Sequence, residues 1–400
     1  LQYQRGNGHA DTTISAYERD ATVLNLADQF PKAPGVLRYI QHVPTWENGI
    51  EAVVRSLTAR WDVQARAELR SVHGISDQRS GNGGLQGGGA GSQQLAGVAF
   101  QATLHGNRFE ALAGARYDAA TFAHGTIVTV DSKTHAATTV VAPSRTDAAI
   151  SPRVALRYDL GQAVALRLSA GSGIREPYLN ELVRGFQIGS TVFAPNVGLI
   201  PERSRSLSAG IDVAGAASHA SLDFTQTVVN DAIAFLTVSP TLQQRANIDR
   251  TQTDGLTAVV ERRLAGCTRV EASATTQFAR VTQGPGAIVG KQLQFVPDRS
   301  ISLGIDDDAG AIGLGIDASY IGQTYADDLN TEPLGAALVI GARATAPMSD
   351  GSRITLSWQN LTRQTYLTSV DRIAPPSNLI LSYTLPIGGE ARQPGRCRVR

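Results

Sequence analysis

The feature that most constrains this chain is a period-two alternation of apolar with small or polar residues, repeated in stretches of about ten residues. Val164, Leu166, Leu168 and Ala170 alternate with Ala165, Arg167 and Ser169, and Ala96, Val98, Phe100, Ala102 and Leu104 with Gly97, Ala99, Gln101 and Thr103. Ile312, Leu314, Ile316, Ala318 and Tyr320 repeat the pattern. Neighbouring side chains of a strand point to opposite faces, so each stretch predicts a strand with one apolar face and one small or polar face.

The connections add a second constraint, because short and long ones take turns. Short turns are expected near Gly106, Gly161, Gly215, Gly266, Gly310 and Gly351. Longer segments are expected at 76–93, 123–148, 176–202, 239–245, 282–293, 326–332 and 364–375, with the glycine-rich SGNGGLQGGGAGS (80–92) read as a flexible loop. Tight turns alternating with long loops are the pattern of an up-and-down barrel in an outer membrane. About sixteen strands are expected between Ala10 and Pro386, an even number that returns both chain ends to the short-turn side. A soluble sandwich or propeller also alternates, but the first does not predict the loop order. The second requires a blade repeat of about 40 to 50 residues, which the sequence lacks.

Composition narrows the function classes. The 400 residues include 40 Gly and 17 Pro, which favours strands and turns over long helices. Thirty-six basic against 35 acidic residues leave a net charge of +1, so no global field marks a nucleic-acid partner. No apolar run reaches the roughly 18 residues of a membrane-spanning helix. The GxGxxG, GxxxxGK[ST], HExxH and GxSxG signatures are missing, so neither an enzyme nor a resident cofactor is expected. Cys267 and Cys397 lack metal-site spacing, the seven His are scattered, and Asp306 to Asp308 lack the ligand spacing of a calcium loop and read as a solvated turn. Arg167, Asp223 and Gln277 fall on polar faces of predicted strands.

The stretch 171–213, GSGIREPYLNELVRGFQIGSTVFAPNVGLIPERSRSLSAGIDV, resembles the most characteristic segment of the TonB-dependent receptor barrel. In that family a strand ends on Arg-x-Pro, a loop carries Asn-Glu-Leu, and the next strand starts after Leu-x-Pro-Glu. The matching positions are Arg175 and Pro177, then Asn180, Glu181 and Leu182, then Leu199, Pro201 and Glu202. Glu176 stands where a small residue is usual, and Ile200 where Lys is common. SPR at 151–153, GARYD at 114–118, QTYADDLNT at 323–331 and WQNLTRQTY at 358–366, with Asn360 and Tyr366, follow in the family's order.

The resemblance implies an all-β transmembrane antiparallel barrel, with residues 1–386 supplying about sixteen of the family's twenty-two strands and 387–400 forming a basic tail. A plug domain and a TonB-engaging segment (TonB box) precede the barrel in the family, and the chain is read as a piece without them. It implies a bacterial outer-membrane location, with membrane lipid, the TonB complex and a small-molecule substrate as partners. The implied activity is active uptake of a scarce nutrient such as a ferric siderophore or cobalamin. Among loop residues, Arg184, Phe186 and Gln187 are the candidate substrate contacts. A passive porin-like channel and a soluble β-rich binding protein are the alternatives.

Overall fold

The computed structural model describes residues 2–6, 10–29, 33–131, 134–188, 191–264, 267–308, 311–369 and 372–386. The expected turns at Gly266 and Gly310, Cys397 and the basic tail 387–400 lie wholly or partly outside the described residues. Among these there are 24 strand segments, sixteen of them seven residues or longer, and one helix of five residues. Contacts gather into two compact units, residues 1–156, 169–206 and 228–250, and residues 157–168, 207–227 and 251–400.

In the first unit the chain begins as a meander of β1 (Gln2–Gly6), β2 (Ala10–Gln29), β3 (Ala33–Leu57), β4 (Trp61–Ser80), β5 (Leu85–His105), β6 (Phe109–Val130) and β7 (Ala137–Val141). Each pairs antiparallel with the next. Register carries the alternation across the strands. One row runs Ala16, Ile50, Leu69, Ala96 and Ala119, and beside it Ile14, Ala52, Ala67, Val98 and Tyr117. Ile50, Leu69, Val98 and Tyr117 are exposed, the mark of a face whose solvent is not water.

The opposite face is charged and internally neutralised. Arg66 donates to Glu51 and Glu68 at 2.7 and 3.0 Å, and Arg116 to Glu68 and Asp118 at 2.6 and 2.7 Å. Glu51 and Glu68 are directly opposed across β3 and β4, an arrangement that Arg66 makes tolerable. Arg116 reaches Glu68 by crossing β5 over Gly97, where a Cβ would collide with its guanidinium. An ionic lattice on one face and Leu, Val and Tyr on the other suit a polar interior and a lipid exterior.

Strands of 20 to 25 residues in β2 to β6 exceed the roughly 9–11 needed to cross a bilayer, so these hairpins continue beyond it. This corrects part of the loop expectation. Residues 76–93 form two strands joined by a Ser80–Gly84 turn, with Gly83 at φ +89°, and most of the glycine-rich stretch is strand. Past the membrane neither face needs apolar residues, so such strands lose the alternation that reveals them.

The middle of the chain supplies β8 (Arg145–Asp159), β9 (Val164–Arg175), α1 (Leu179–Val183), β10 (Phe186–Ile188), β11 (Thr191–Ala194), β12 (Glu202–Ala214), β13 (Ser218–Ser239) and β14 (Leu242–Arg263). β13 and β14 are joined by Pro240 and Thr241 alone, so the expected long segment 239–245 is a tight hairpin.

Of the second unit's wholly contained strands, β15 (Thr268–Gln283), β16 (Arg299–Asp307) and β17 (Gly313–Ile321) come first. β18 (Thr324–Tyr325), β19 (Pro333–Leu334), β20 (Ala337–Pro347), β21 (Arg353–Gln359), β22 (Leu367–Ser369), β23 (Arg372–Ile373) and β24 (Asn378–Thr384) complete the order. An apolar row again crosses the sheet, Ile305, Ile316, Ala342, Trp358 and Leu379. On the other face Arg343 pairs with Asp306 across Gly315. Asp306 and Asp307 therefore end a strand instead of lying in a turn. Arg167 pairs with Asp212 at 2.7 Å and Asp223 at 2.9 Å, and Gln277 donates to the Pro297 carbonyl at 2.9 Å.

Candidate functional site

Between β9 and β12 in the first unit lies the strap 176–201. Pro177, fully buried and without an N–H, stops β9 after Arg175. The strap then forms α1, whose Leu179, Leu182 and Val183 pack with Phe122, Ala142 and Leu199. Leu182 and Leu199 are completely buried. Asn180 is exposed, and its carbonyl accepts the Arg184 amide.

The strap lies on the polar face of β3 to β6, held there by side-chain amides. Gln93 Nε2 donates to the Pro177 carbonyl and Gln41 Nε2 to the Gly185 carbonyl, both at 2.7 Å. Gln41 is 1% exposed, and its Oε1 accepts from Asn25 at 3.0 Å and from Arg184 Nη2 at 3.1 Å. The glycines of β5 make room: a Cβ on Gly89 would overlap the Val183 carbonyl, and one on Gly91 would sit 3.2 Å from Leu179.

Below α1 four charged side chains form one chain of contacts. Arg175 donates to Glu181 Oε2 at 2.8 Å and to Glu202 Oε2 at 2.5 Å. Glu181 also accepts the Tyr178 amide at 2.9 Å and Arg245 Nη1 at 3.2 Å, while Glu202 Oε1 accepts the Ile233 amide at 2.6 Å. The cluster joins the end of β9, α1, the start of β12, and β13 and β14. Pro201 is buried beside it in sequence. Asn360 and Tyr366 belong to the second unit. There Asn360, at φ +51° and 4% exposed, bonds the amide and carbonyl of Gln364, and the Tyr366 carbonyl accepts the Ala374 amide.

After α1 the hairpin of β10 and β11 lays its second strand parallel to the start of β14. Phe186 stacks on Phe193 with centroids 4.7 Å apart, and Phe235 meets Phe193 edge-on at 5.0 Å. Arg245 lies 4.4 Å above the Phe235 ring, its Nε buried and without a hydrogen bond among the described residues. Gln187 pairs with Val192 in register and points to the other face of the hairpin from Phe186. Phe235, Arg245, Gln41 and Gln93 escape a reading of the sequence because they lie far from the signature and carry no local spacing of their own, and Phe193, inside the signature, matches none of its motif positions.

A cavity of about 660 Å³ opens between the strap's first residues and the polar face, with Arg66, Glu68, Arg116, Arg153, Glu176 and Tyr178 among its walls. Burial, aided by Asp147 and Asp118 and opposed by Arg145 and Arg203, pushes the Glu176 carboxyl up to about 7. Among the described residues no three His, Cys, Asp or Glu side chains are grouped to hold a metal ion. The arrangement offers cations, aromatic rings and fixed amides, and it can bind and reposition without covalent chemistry.

A family model described as TonB dependent receptor-like, beta-barrel, matches residues 2–361. The chain belongs to that family. TonB-dependent receptor barrels are bacterial outer-membrane proteins, so the apolar faces described above meet lipid. No curated protein matches the chain. Among solved structures, the copper transporter OprC superposes with a TM-score of 0.76 at 14% identity, over 96% of this chain and 64% of its own. The ferric citrate transporter FecA gives 0.70 at 14%, over 96% and 60%. The ferric yersiniabactin uptake receptor FyuA from Yersinia pestis gives 0.72 at 12%, over 96% and 58%. The chain thus spans about three fifths of the length of these TonB-dependent receptors, and at these identities the likeness is one of fold.

Proposed function

We propose that this chain is the barrel of an outer-membrane receptor that takes up a scarce small molecule, such as an iron chelate or cobalamin, with energy delivered through TonB. The observation that carries the proposal is the family match over residues 2–361 together with the strap pinned on the polar face. Named cargoes of the similar structures, copper, ferric citrate and ferric yersiniabactin, favour a metal or a metal chelate. Selective binding followed by a rearrangement that opens a path needs no bond to be made or broken, which agrees with a receptor and not an enzyme. Arg184 and Phe186, with the Phe193, Phe235 and Arg245 cluster, supply a cation and ring faces suited to an anionic chelate. Gln187 adds an amide on the neighbouring face.

The test is uptake of radio-iron supplied as a panel of chelates to cells expressing the intact gene product. Uptake is expected for at least one chelate and should vanish without TonB or on dissipating the proton gradient. A steady, large conductance in liposomes that ignores TonB, with no energised uptake, would point to a passive channel instead. R184Q and F186A should raise the concentration for half-maximal uptake without lowering the amount of receptor in the membrane.

A further inference from the structure

In the second unit the last paired apolar residues of β21 and β24 on the side of residue 360 are Trp358 and Leu379, both exposed. Trp358 donates its indole N–H to Ser377 Oγ at 2.9 Å, so the ring's polar edge is satisfied at the loop and its body lies on the apolar face. That placement is the one aromatic side chains take where hydrocarbon gives way to headgroups. Immediately above, Asn360 fixes the turn by bonding both the amide and the carbonyl of Gln364. Residues 363–365 and 373–377 line, with Trp358 and Leu379, a cleft of about 820 Å³. Trp358, Ile373, Pro375, Pro376 and Leu379 wall this cleft, and Arg363 stands at its margin.

Ile373 is 68% exposed and Leu379 61%, which in water would be an uncovered apolar patch. Arg363 is exposed and makes no ion pair among the described residues. An apolar cleft continuous with a lipid-facing row and rimmed by a free guanidinium matches a molecule with acyl chains below and an anion above. Guanidinium presents a planar fork that suits phosphate oxygens.

We infer that this cleft is a binding site for a phosphate-bearing acyl lipid of the surrounding leaflet. Its chains lie along Trp358, Leu379 and Ile373, and its phosphate meets Arg363. Residues 363–365 and 373–377 would then gain a lipid anchor at the membrane surface beside the protein contacts made by Asn360 and Trp358.

The experiment is native mass spectrometry of the full chain from detergent micelles doped with phosphatidic acid, with diacylglycerol of the same chains, or with inorganic phosphate. Wild type should retain phosphatidic acid and not diacylglycerol, and millimolar inorganic phosphate should not displace it. R363Q should weaken retention roughly five-fold, the factor equivalent to about 1 kcal/mol per cation near an anionic lipid surface. W358L should shorten retention of the long-chain lipid while leaving circular dichroism unchanged. Equal retention by R363Q and wild type, equal binding of diacylglycerol, or displacement by inorganic phosphate would each overturn the proposal. A circular-dichroism spectrum of R363Q matching wild type separates lost binding from lost folding.

Discussion

Glu176 is the residue where environment most changes chemistry. Its carboxyl sits near 7 because burial, and then Asp147, disfavour the charged form. The unfolded chain loses that proton near the ordinary Glu value, so between roughly pH 4.5 and 7 the folded state holds one more proton. Stability contributed by neutral Glu176 is present below this window and lost as pH rises through 7. The E176Q variant should match wild type at pH 5 and melt at higher temperature at pH 8, read as thermal unfolding in detergent. An equal pH dependence in both proteins would remove Glu176 from the account. Glu181 carries the opposite burden, as Arg245's carboxylate partner among the described residues. The E181A variant leaves the largely covered Arg245 guanidinium, 19% exposed, without its carboxylate. It should cost about 3 kcal/mol, toward the low end for a broken buried pair because Arg175 keeps Glu202 and is a third exposed. Urea unfolding in lipid vesicles measures it, and E181Q, which retains an acceptor for the Tyr178 amide, should recover part of the loss.

At the scale of elements, the strap and strand β5 depend on each other. Gly89 gives the Val183 carbonyl its space, and Gln93 and Gln41 hold the backbone on either side of α1. The G89V variant should push α1 off the polar face at a cost of about 1–3 kcal/mol, the usual penalty of overpacking. Limited trypsin digestion should then cut after Arg184 faster than in wild type; unchanged cleavage would mean the strap is held elsewhere. This dependence was only half legible. Arg175, Glu181 and Glu202 could be found because they fall in one motif, and the structure joins them through side-chain contacts. Gln41 lies 144 residues from its partner Gly185, and nothing local to either announces the contact. The glycines of 80–92 read as flexibility in one dimension, but in the fold Gly89 and Gly91 are clearance for a packed segment.

For the whole molecule, alternation was enough to give the architecture, because one face of every membrane-crossing strand must be apolar. The sixteen longer strands agree with the count from periodicity, and the loop order is visible wherever the connection is either a tight turn or a true loop. It fails at 76–93, at 123–148, most of which belongs to β6, β7 and β8, and at 239–245, where strands continue into water and the pressure to alternate ends. With so many exposed Leu, Ile and Val side chains, the chain should aggregate in detergent-free buffer and become monodisperse in micelles. Light scattering would show it; a monodisperse species without detergent would favour a soluble β-rich protein.

The most direct test labels single cysteines along one face of the sheet and its opposite face in lipid vesicles, after replacing Cys267 and Cys397. Spin labels at Leu303, Leu314, Ile316 and Leu356 should be relaxed by oxygen, which partitions into lipid, and little by a water-soluble nickel chelate. Labels at Ser302, Gly315, Asp317 and Ser357 should show the reverse. A strict alternation between the two sets is what a lipid-facing receptor barrel predicts, and equal access of the nickel chelate to both faces would contradict it.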